Sequence, residues 1–174
     1  MPVRLVYCSD LGSNKSADSM SNPFWAFSLA TYQKEGVAAT CLVLQDRFGL
    51  DVNLLLYAAW LAHHDLRLEQ QHLRELDALL ADWRLQVVQP LRALRRQLAG
   101  YAAATGVHEE LKVLELRAEQ EQQEMMYSFH QRAPRFADAG RPLQENLVQV
   151  AHLVSPHEES WGGDIEHLAA LIAL

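Results

Sequence analysis

Apolar residues recur at helical spacing along most of the chain, and the part from residue 22 to residue 62 is apolar almost throughout. Gly36 and residues 49–51 interrupt this block and divide it into three short helices. The third helix starts after Asp51, a residue type that commonly caps helices, and runs to about His63. Because its side chains are apolar on nearly every face, we expect it to lie in the interior of the protein.

The second half of the chain is amphipathic and more highly charged. Residues 66–83 and 108–131 place apolar side chains at helical spacing, and Pro90 between them predicts a kink or a new helix start. In the second of these stretches the expected buried stripe consists of Leu111, Leu114, Ala118, Met125 and Phe129. Two shorter helices follow Pro142. Since no strand-like alternation persists, the pattern predicts an all-α, single-domain multi-helix bundle of about six to eight helices.

The N-terminal residues lack this pattern and set a domain boundary. Residues 1–19 contain Ser, Asn and Gly and predict a disordered tail, which precedes a helical domain from residue 20 to residue 174. Asn22 followed by Pro23 is a typical helix start, because Asn caps the helix and Pro has no amide hydrogen to leave unpaired. Met20 is interpreted as the true initiator, or the segment before it as a dispensable arm.

The composition restricts the partners and the compartment. A formal net charge of −7 opposes contact with polyanions such as DNA. The longest stretches without a charged residue, 19–33 and 52–64, are shorter than a bilayer-spanning helix. The start of the chain is unlike a secretory signal, and the two cysteines, Cys8 and Cys41, are too few for a disulfide framework. We therefore expect a cytoplasmic protein with no membrane span.

Three segments together carry a resemblance to a known family. They are NPFW at residues 22–25, LVLQDRFGLDVNLLLYAAWLA at residues 42–62 and VVQPLRALRR at residues 87–96. The chain resembles, over roughly residues 20–154, a family of uncharacterised small helical bacterial proteins that is catalogued as a domain of unknown function. The resemblance implies a cytoplasmic, helical, single-domain protein. It implies no activity and no functional residue.

Two features of the sequence are of the kind found in nucleic-acid-binding proteins. Val37–Phe48 and the helix after Asp51 mimic a helix-turn-helix, but the reading surface would be Val52, Leu54, Leu56 and Tyr57, which is unsuited to base edges. The arginine set from Arg84 to Arg96, in which Arg92, Arg95 and Arg96 lie together, forms the one concentrated positive surface, where RNA phosphate is an alternative. Residues 109–124 carry six glutamates, which favours an acidic helix packed against the basic one. DNA is therefore excluded as a partner and RNA is disfavoured.

Ligand and metal sites have weaker signals. Glu69-x-x-His72 has the spacing of di-iron bundles, but its helix is expected to be exposed there. The aromatic residues Phe24, Trp25, Phe27 and Trp60 either line an apolar pocket or, as favoured, seal the core. Cys41 is expected to be a buried, unreactive thiol. The apolar block contains three polar residues, Asp46, Arg47 and Asn53. The favoured interpretation is that they stabilise the turn at Gly49 by bonding to its backbone, and the alternative is that they form the rim of a groove.

The sequence contains no catalytic constellation, and it predicts no cofactor. The leading hypothesis is a non-catalytic module that binds a protein partner or associates with itself. Its expected contact surface consists of Trp25, Trp60, Trp83, Arg92, Arg95 and Arg96. The alternative is an enzyme or sensor that holds a metal, through Glu69 and His72, or an apolar ligand inside the helical bundle.

Overall fold

The computed structural model describes residues 22–101, 104–133, 140, 142–154 and 160–173. These residues form eight α-helices and one π-helical segment, with no strand among them, so the all-α bundle prediction is confirmed. The tail predicted for residues 1–19 lies outside the described residues. The elements are α1 (Pro23–Tyr32), α2 (Val37–Phe48), α3 (Val52–His63), α4 (Gln70–Trp83), the π segment (Arg84–Val88), α5 (Gln89–Leu98), α6 (Thr105–Arg132), α7 (Leu143–Val154) and α8 (Gly162–Ala173).

Local sequence chemistry sets the helix ends in the first part of the chain. The Asn22 side-chain oxygen accepts hydrogen bonds from the amides of Phe24 and Trp25, at 2.9 and 3.2 Å, and so caps α1. Gly49 ends α2 with a φ of 72°, a left-handed conformation that glycine adopts without strain. Asp51 caps α3 through the amides of Asn53 and Leu54. The predicted punctuation of the apolar block is therefore confirmed.

Helix α3 lies at the centre of the bundle. Every residue from 53 to 62 is buried, and the helix packs against α1, α2, α6 and α7. Phe24 of α1 contacts the rings of Tyr57 and Trp60 at centroid distances of 5.6 and 5.5 Å. The surface that a helix-turn-helix would present to DNA is thus mostly enclosed by neighbouring helices. Burying each large apolar side chain of α3 contributes about 1.5–3 kcal/mol to folding.

A buried amide fixes α7 against the turn that follows α3. Asn146 of α7 is fully buried, and its side chain satisfies three backbone groups. It accepts from the amide of Leu68 at 2.8 Å and donates to the carbonyls of Ala58 and Leu66. Because each polar atom of this amide has a partner, its burial carries little penalty.

Helices α4 and α5 are continuous through the π segment. Pro90 has no amide hydrogen to donate, and its ring crowds the carbonyl one turn earlier in an α-helix. The helix widens at Arg84–Val88 and then resumes at Gln89. A π-helical bulge is a common response to such a local mismatch, and it occurs often at functional sites. The chain therefore stays helical from Gln70 to Leu98 instead of breaking at the proline.

Helix α6 presents an unexpected face to the interior. Its buried residues are Leu111, Glu115, Ala118, Gln122, Gln123 and Met126. The predicted stripe is wrong at Leu114, which is 50% exposed, while the neighbouring Glu115 is buried. The reason is α5, whose Arg92 and Arg95 bond to Glu115 and offset the cost of burying its charge.

Within the described residues, no helix combines the length and apolarity needed to cross a membrane.

Candidate functional site

A cleft of about 1280 Å³ is lined by residues of α1, α2, the start of α3, α4, the π segment, α5 and α6. This volume exceeds the usual range for small-molecule sites in proteins, which is about 300–1,000 Å³. One part of its surface is apolar and includes Trp25, Leu29, Leu42, Leu56, Val88 and Leu116. The rest is rich in charged and amide side chains. The cleft is therefore both roomy and chemically divided.

Seven charged side chains of the cleft form two groups of ion pairs. We call this set the charged network: Asp51, Asp77, Arg84, Arg92, Arg95, Glu115 and Glu119. Asp51 is its junction, since Oδ1 caps α3 while Oδ2 accepts from Arg84 at 3.1 Å and from Gln122 at 3.0 Å. Arg84, which begins the π segment, also pairs with Asp77 of α4. Asp51 and Arg84 thus join the start of α3 to α4 and α6.

The arginines of α5 pair with the glutamates of α6. Arg92 donates through Nε to Glu115 at 3.0 Å and through Nη2 to Glu119 at 2.8 Å. Arg95 donates to both oxygens of Glu115. The packing of a basic helix on an acidic helix, which the sequence favours, is present. The positive charges of Arg92 and Arg95 are therefore paired with carboxylates of the same chain.

Two neighbouring glutamates have opposite pKa shifts. Burial raises the pKa of Glu119 to about 7, and the nearby carboxylates of Glu115 and Asp51 add to that effect against the attraction of Arg92. Burial alone would raise the pKa of Glu115 as well, but hydrogen bonds from Arg95 and Arg92 outweigh it and hold the pKa below its usual range. The pKa of Glu119 therefore lies near neutral pH.

Three buried polar atoms of cleft-lining residues lack a hydrogen-bond partner among the described residues. They are the amide oxygens Oε1 of Gln122 and Gln123 and the hydroxyl oxygen of Ser28. The amide nitrogens are engaged, with Gln122 donating to Asp51 and Gln123 donating to Asn53 at 2.8 Å. These bonds fix the orientation of both amides, and the protein covers their oxygens, each of which has less than 1 Å² of accessible surface.

An ion pair joins α2 to α5 beside the cleft. Asp46 accepts from Arg96 at 2.8 Å, and both residues line the cleft with about half of each side chain exposed. Arg47 bonds instead to Asp164 of α8 at 3.3 Å. The interpretation of Asp46 and Arg47 as ties of the turn at Gly49 is wrong, since Asp51 makes the backbone bonds there. Asp46 and Asn53 line the cleft. Their position agrees with the less favoured interpretation of these residues, as the rim of a groove.

The residues predicted as one contact surface occupy three places. Trp25, Arg92, Arg95 and Arg96 line the cleft. Trp83 is half-buried, and its indole nitrogen donates to the carbonyl of Ala118 at 3.0 Å. Trp60 is only 5% exposed and packs in the core, so it is unsuited to contact a partner. Its burial follows from its position on the interior helix α3.

The residues of the predicted metal site do not converge. Glu69 is exposed at the start of α4, whereas His72 is buried, contrary to the expectation that it lies on an exposed face. His72 Nε2 lies 2.8 Å from the Tyr57 hydroxyl, which lies 3.1 Å from Nδ1 of His130. Burial and the neighbouring His130 lower the pKa of His72 to about 4. Among the described residues, no group of three or more His, Cys, Asp or Glu side chains is arranged to hold a metal ion.

Sequence reasoning missed most of the polar cleft. The residues that it did not single out are Asp77, Gln122 and Gln123. It treated Asp51 only as a cap, Arg84 only as a member of the basic set, and Glu115 and Glu119 only as members of an acidic helix. A signal was present, because residues 115, 119, 122 and 123 follow the helical spacing of one face. The competing apolar spacing of Leu111, Leu114 and Ala118 concealed it.

The comparison with protein families covers the cleft. The model of a family described as "Protein of unknown function (DUF2390)" matches residues 23–126. The chain belongs to this family. The DUF2390 match extends from α1 to most of α6 and includes every cleft-lining residue except Val154. Neither a curated protein nor a solved structure matches the chain.

Proposed function

We propose that this DUF2390 protein is a binding domain whose cleft holds a small organic molecule. The observation that carries the proposal is a cleft of about 1280 Å³ that combines an apolar part with charged side chains held in place by ion pairs. Small-molecule sites commonly combine apolar lining with a few fixed polar groups.

The state of the charged groups favours binding over catalysis. Arg84, Arg92 and Arg95 each bond to at least one carboxylate, so none is available as a free electrophilic group. Such pairs stiffen a site and fix its shape, which suits a preformed binding cleft.

We also propose that the domain works in the cytoplasm. Cys41 is a free buried thiol, and burial raises its pKa to about 12, which suits a reduced and unreactive residue.

A thermal-shift screen of metabolite-like compounds tests the proposed cleft. A ligand at a hundredfold excess over its Kd should raise Tm by about 5–10 °C for a chain of this size. Filling the cleft by Leu29→Trp or Leu116→Trp should remove the shift, since both residues line it. Leu79→Trp is the matched control, because Leu79 is exposed and does not line the cleft. Hits that stabilise the filled variants as well as the wild-type protein would refute the cleft as the site.

A second candidate function is association with a second copy of the chain or with a protein partner. Of the eight large apolar side chains exposed in the described part of the chain, five lie between residues 85 and 114. They are Leu85, Leu94, Tyr101, Val107 and Leu114. Exposed apolar residues concentrated in one region favour a contact surface.

Light scattering after size-exclusion chromatography tests this second candidate. Self-association through these residues predicts a mass that rises with concentration and returns to that of one chain in Leu94→Glu. Val43→Glu, on the exposed part of α2, is the matched control. A single-chain mass at every concentration would contradict self-association.

A further inference from the structure

Helix α5 has an apolar side that the rest of the chain leaves open. The helix packs on α6 and on the π segment, yet none of its residues is buried. Arg92 and Arg95 are on the side that contacts α6, where both bond to Glu115. Leu94 adjoins Arg95, and since adjacent residues of a helix point about 100° apart, it lies on another side. Leu94 is 44% exposed, although helices in proteins gain most of their stability by packing an apolar side.

The first half of α6 extends this open apolar surface. Val107 is 52% exposed and Leu114 is 50% exposed. The two residues are two helical turns apart, so they lie on one side of α6. We call Leu94, Val107 and Leu114 the outer face. None of the three lines the cleft, so the outer face and the cleft are on different sides of the α5–α6 pair.

Two opposite charges flank Leu114 on α6. Glu110 precedes it by four residues and Arg117 follows it by three, and both are exposed. Arg117 lies at the border with the cleft, which it also lines. Glu110 and Arg117 are about 10.5 Å apart along the helix, too far to pair with one another. Neither takes part in an ion pair within the described part of the chain, whereas the neighbouring Glu109 pairs with Lys112.

We infer that a second copy of the chain docks on the outer face, with the two α6 helices antiparallel and Glu110 of each copy paired with Arg117 of the other. This inference rests on the second candidate function, self-association. A two-fold axis beside Leu114 produces the pairing, because the acid lies about as far before Leu114 as the base lies after it. A parallel arrangement would place like charges together, and a partner of uniform charge would match only one of the two residues. The outer face is therefore complementary to itself.

The apolar and the charged residues have different parts in this contact. Covering Leu94, Val107 and Leu114 removes apolar surface from water and supplies most of the affinity. The pairs of Glu110 with Arg117 lie at the edge and fix the orientation, since charges at the rim of an interface contribute more to specificity than to affinity. Because the contact consists of only two helices from each copy, we expect a dissociation constant on the order of 10 μM.

Complementary charge reversals test the arrangement. We would measure the mass of the full chain by sedimentation equilibrium from about 1 to 200 μM, where the wild-type mass should rise from that of one chain to that of two. Glu110→Arg brings like charges together twice in each pair of copies, and so does Arg117→Glu. Each variant alone should therefore associate at least about tenfold more weakly. An equal mixture of the two variants should associate as tightly as the wild type, since each reversed residue then meets its opposite in the other variant.

Two controls make the same changes of charge elsewhere. Glu35→Arg and Arg74→Glu alter exposed residues outside α5 and α6, and each variant should associate within about twofold of the wild type. Leu114→Glu places a charge at the centre of the outer face and should keep the mass of one chain. Circular dichroism of each variant checks that it is folded.

The outcomes separate this arrangement from self-association in general. A wild-type mass of one chain at every concentration would overturn both, and would leave the cleft proposal to its own test. Wild-type association that Leu94→Glu abolishes and Glu110→Arg leaves unchanged would overturn the antiparallel arrangement alone. The arrangement also fails if the mixture of Glu110→Arg and Arg117→Glu keeps the mass of one chain, or if the wild-type mass grows beyond two chains.

Discussion

Replacing Glu115 with alanine should destabilise the protein strongly, because this carboxylate is the shared partner of two arginines. Glu115 accepts from Arg92 at 3.0 Å and bonds to Arg95 through both of its oxygens. Its side chain is 9% exposed and that of Arg95 is 13% exposed, so neither ion pair is a surface pair. After the substitution, Arg92 retains Glu119, whereas Arg95 loses its one carboxylate partner among the described residues.

The expected size of the effect follows from this burial. Surface ion pairs contribute about 0–1 kcal/mol, whereas removing one member of a buried pair costs about 3–5 kcal/mol. Since Arg95 keeps some access to water, we expect a loss of about 3 kcal/mol, which corresponds to a fall in Tm of about 6–12 °C for a domain of this size. Glu121→Ala, on the exposed side of the same helix, should change stability by less than about 0.5 kcal/mol.

Urea denaturation followed by circular dichroism measures these free energies, and a double-mutant cycle isolates the pair. Glu115→Ala, Arg95→Ala and the double variant should show a coupling energy of about 1–3 kcal/mol, with the double variant less destabilised than the sum of the single ones. Additive effects, or a loss below about 1 kcal/mol in Glu115→Ala, would show that Glu115 is solvated and that the inner face of α6 is assigned wrongly.

Three further variants test other parts of the structure. Asp51→Ala removes the cap of α3 and the partner of Arg84 and Gln122, so urea denaturation should show that the free energy of unfolding falls by about 2–4 kcal/mol. Asp51→Asn keeps a capping oxygen and should lower it less. Equal losses in the two variants would contradict a role for the charge. Because the pKa of His72 is lowered to about 4, the unfolded chain binds more protons between that value and the usual histidine range, and stability from neutral His72 is lost as pH falls. The difference in stability between wild type and His72→Gln should shrink by about 2 kcal/mol from pH 7 to pH 5, a comparison that cancels the opposite trend of Glu119, and a constant difference would refute it. Gly36 has a φ of 81° and a built Cβ would lie 3.0 Å from Leu171, so Gly36→Ala should cost about 1–2 kcal/mol in thermal unfolding, while Gly106→Ala, in open space on α6, should not destabilise.

Local structure was predictable from the sequence because the interactions that determine it are close in the chain. The cap of Asn22 reaches only two and three residues ahead, and that of Asp51 does the same. The burial of α3 follows from its composition alone, since no face of that helix is polar enough to be exposed. The predictions of the start of α1, the end of α2 and the central position of α3 were therefore correct.

The candidate site was less predictable because distant residues determine it. Leu114 and Glu115 compete for the inner face of α6, and apolarity alone favours Leu114. The arginines that reverse this order lie 20 and 23 residues away from Glu115, on a helix whose direction depends on the π segment. His72 shows the same limit. Its ring is buried beside Tyr57, which lies 15 residues earlier and places its hydroxyl within hydrogen-bonding distance.

The central claim, that the polar inner face of α6 helps to form a ligand site, is tested most directly by nitrogen–proton NMR spectra recorded during titration with a ligand from the screen. The account predicts that the side-chain amide signals of Gln122 and Gln123 and the indole signal of Trp25 shift together and saturate at one ligand per chain. Shifts confined to the exposed residues near Leu94 and Leu114, with these three signals unchanged, would contradict it.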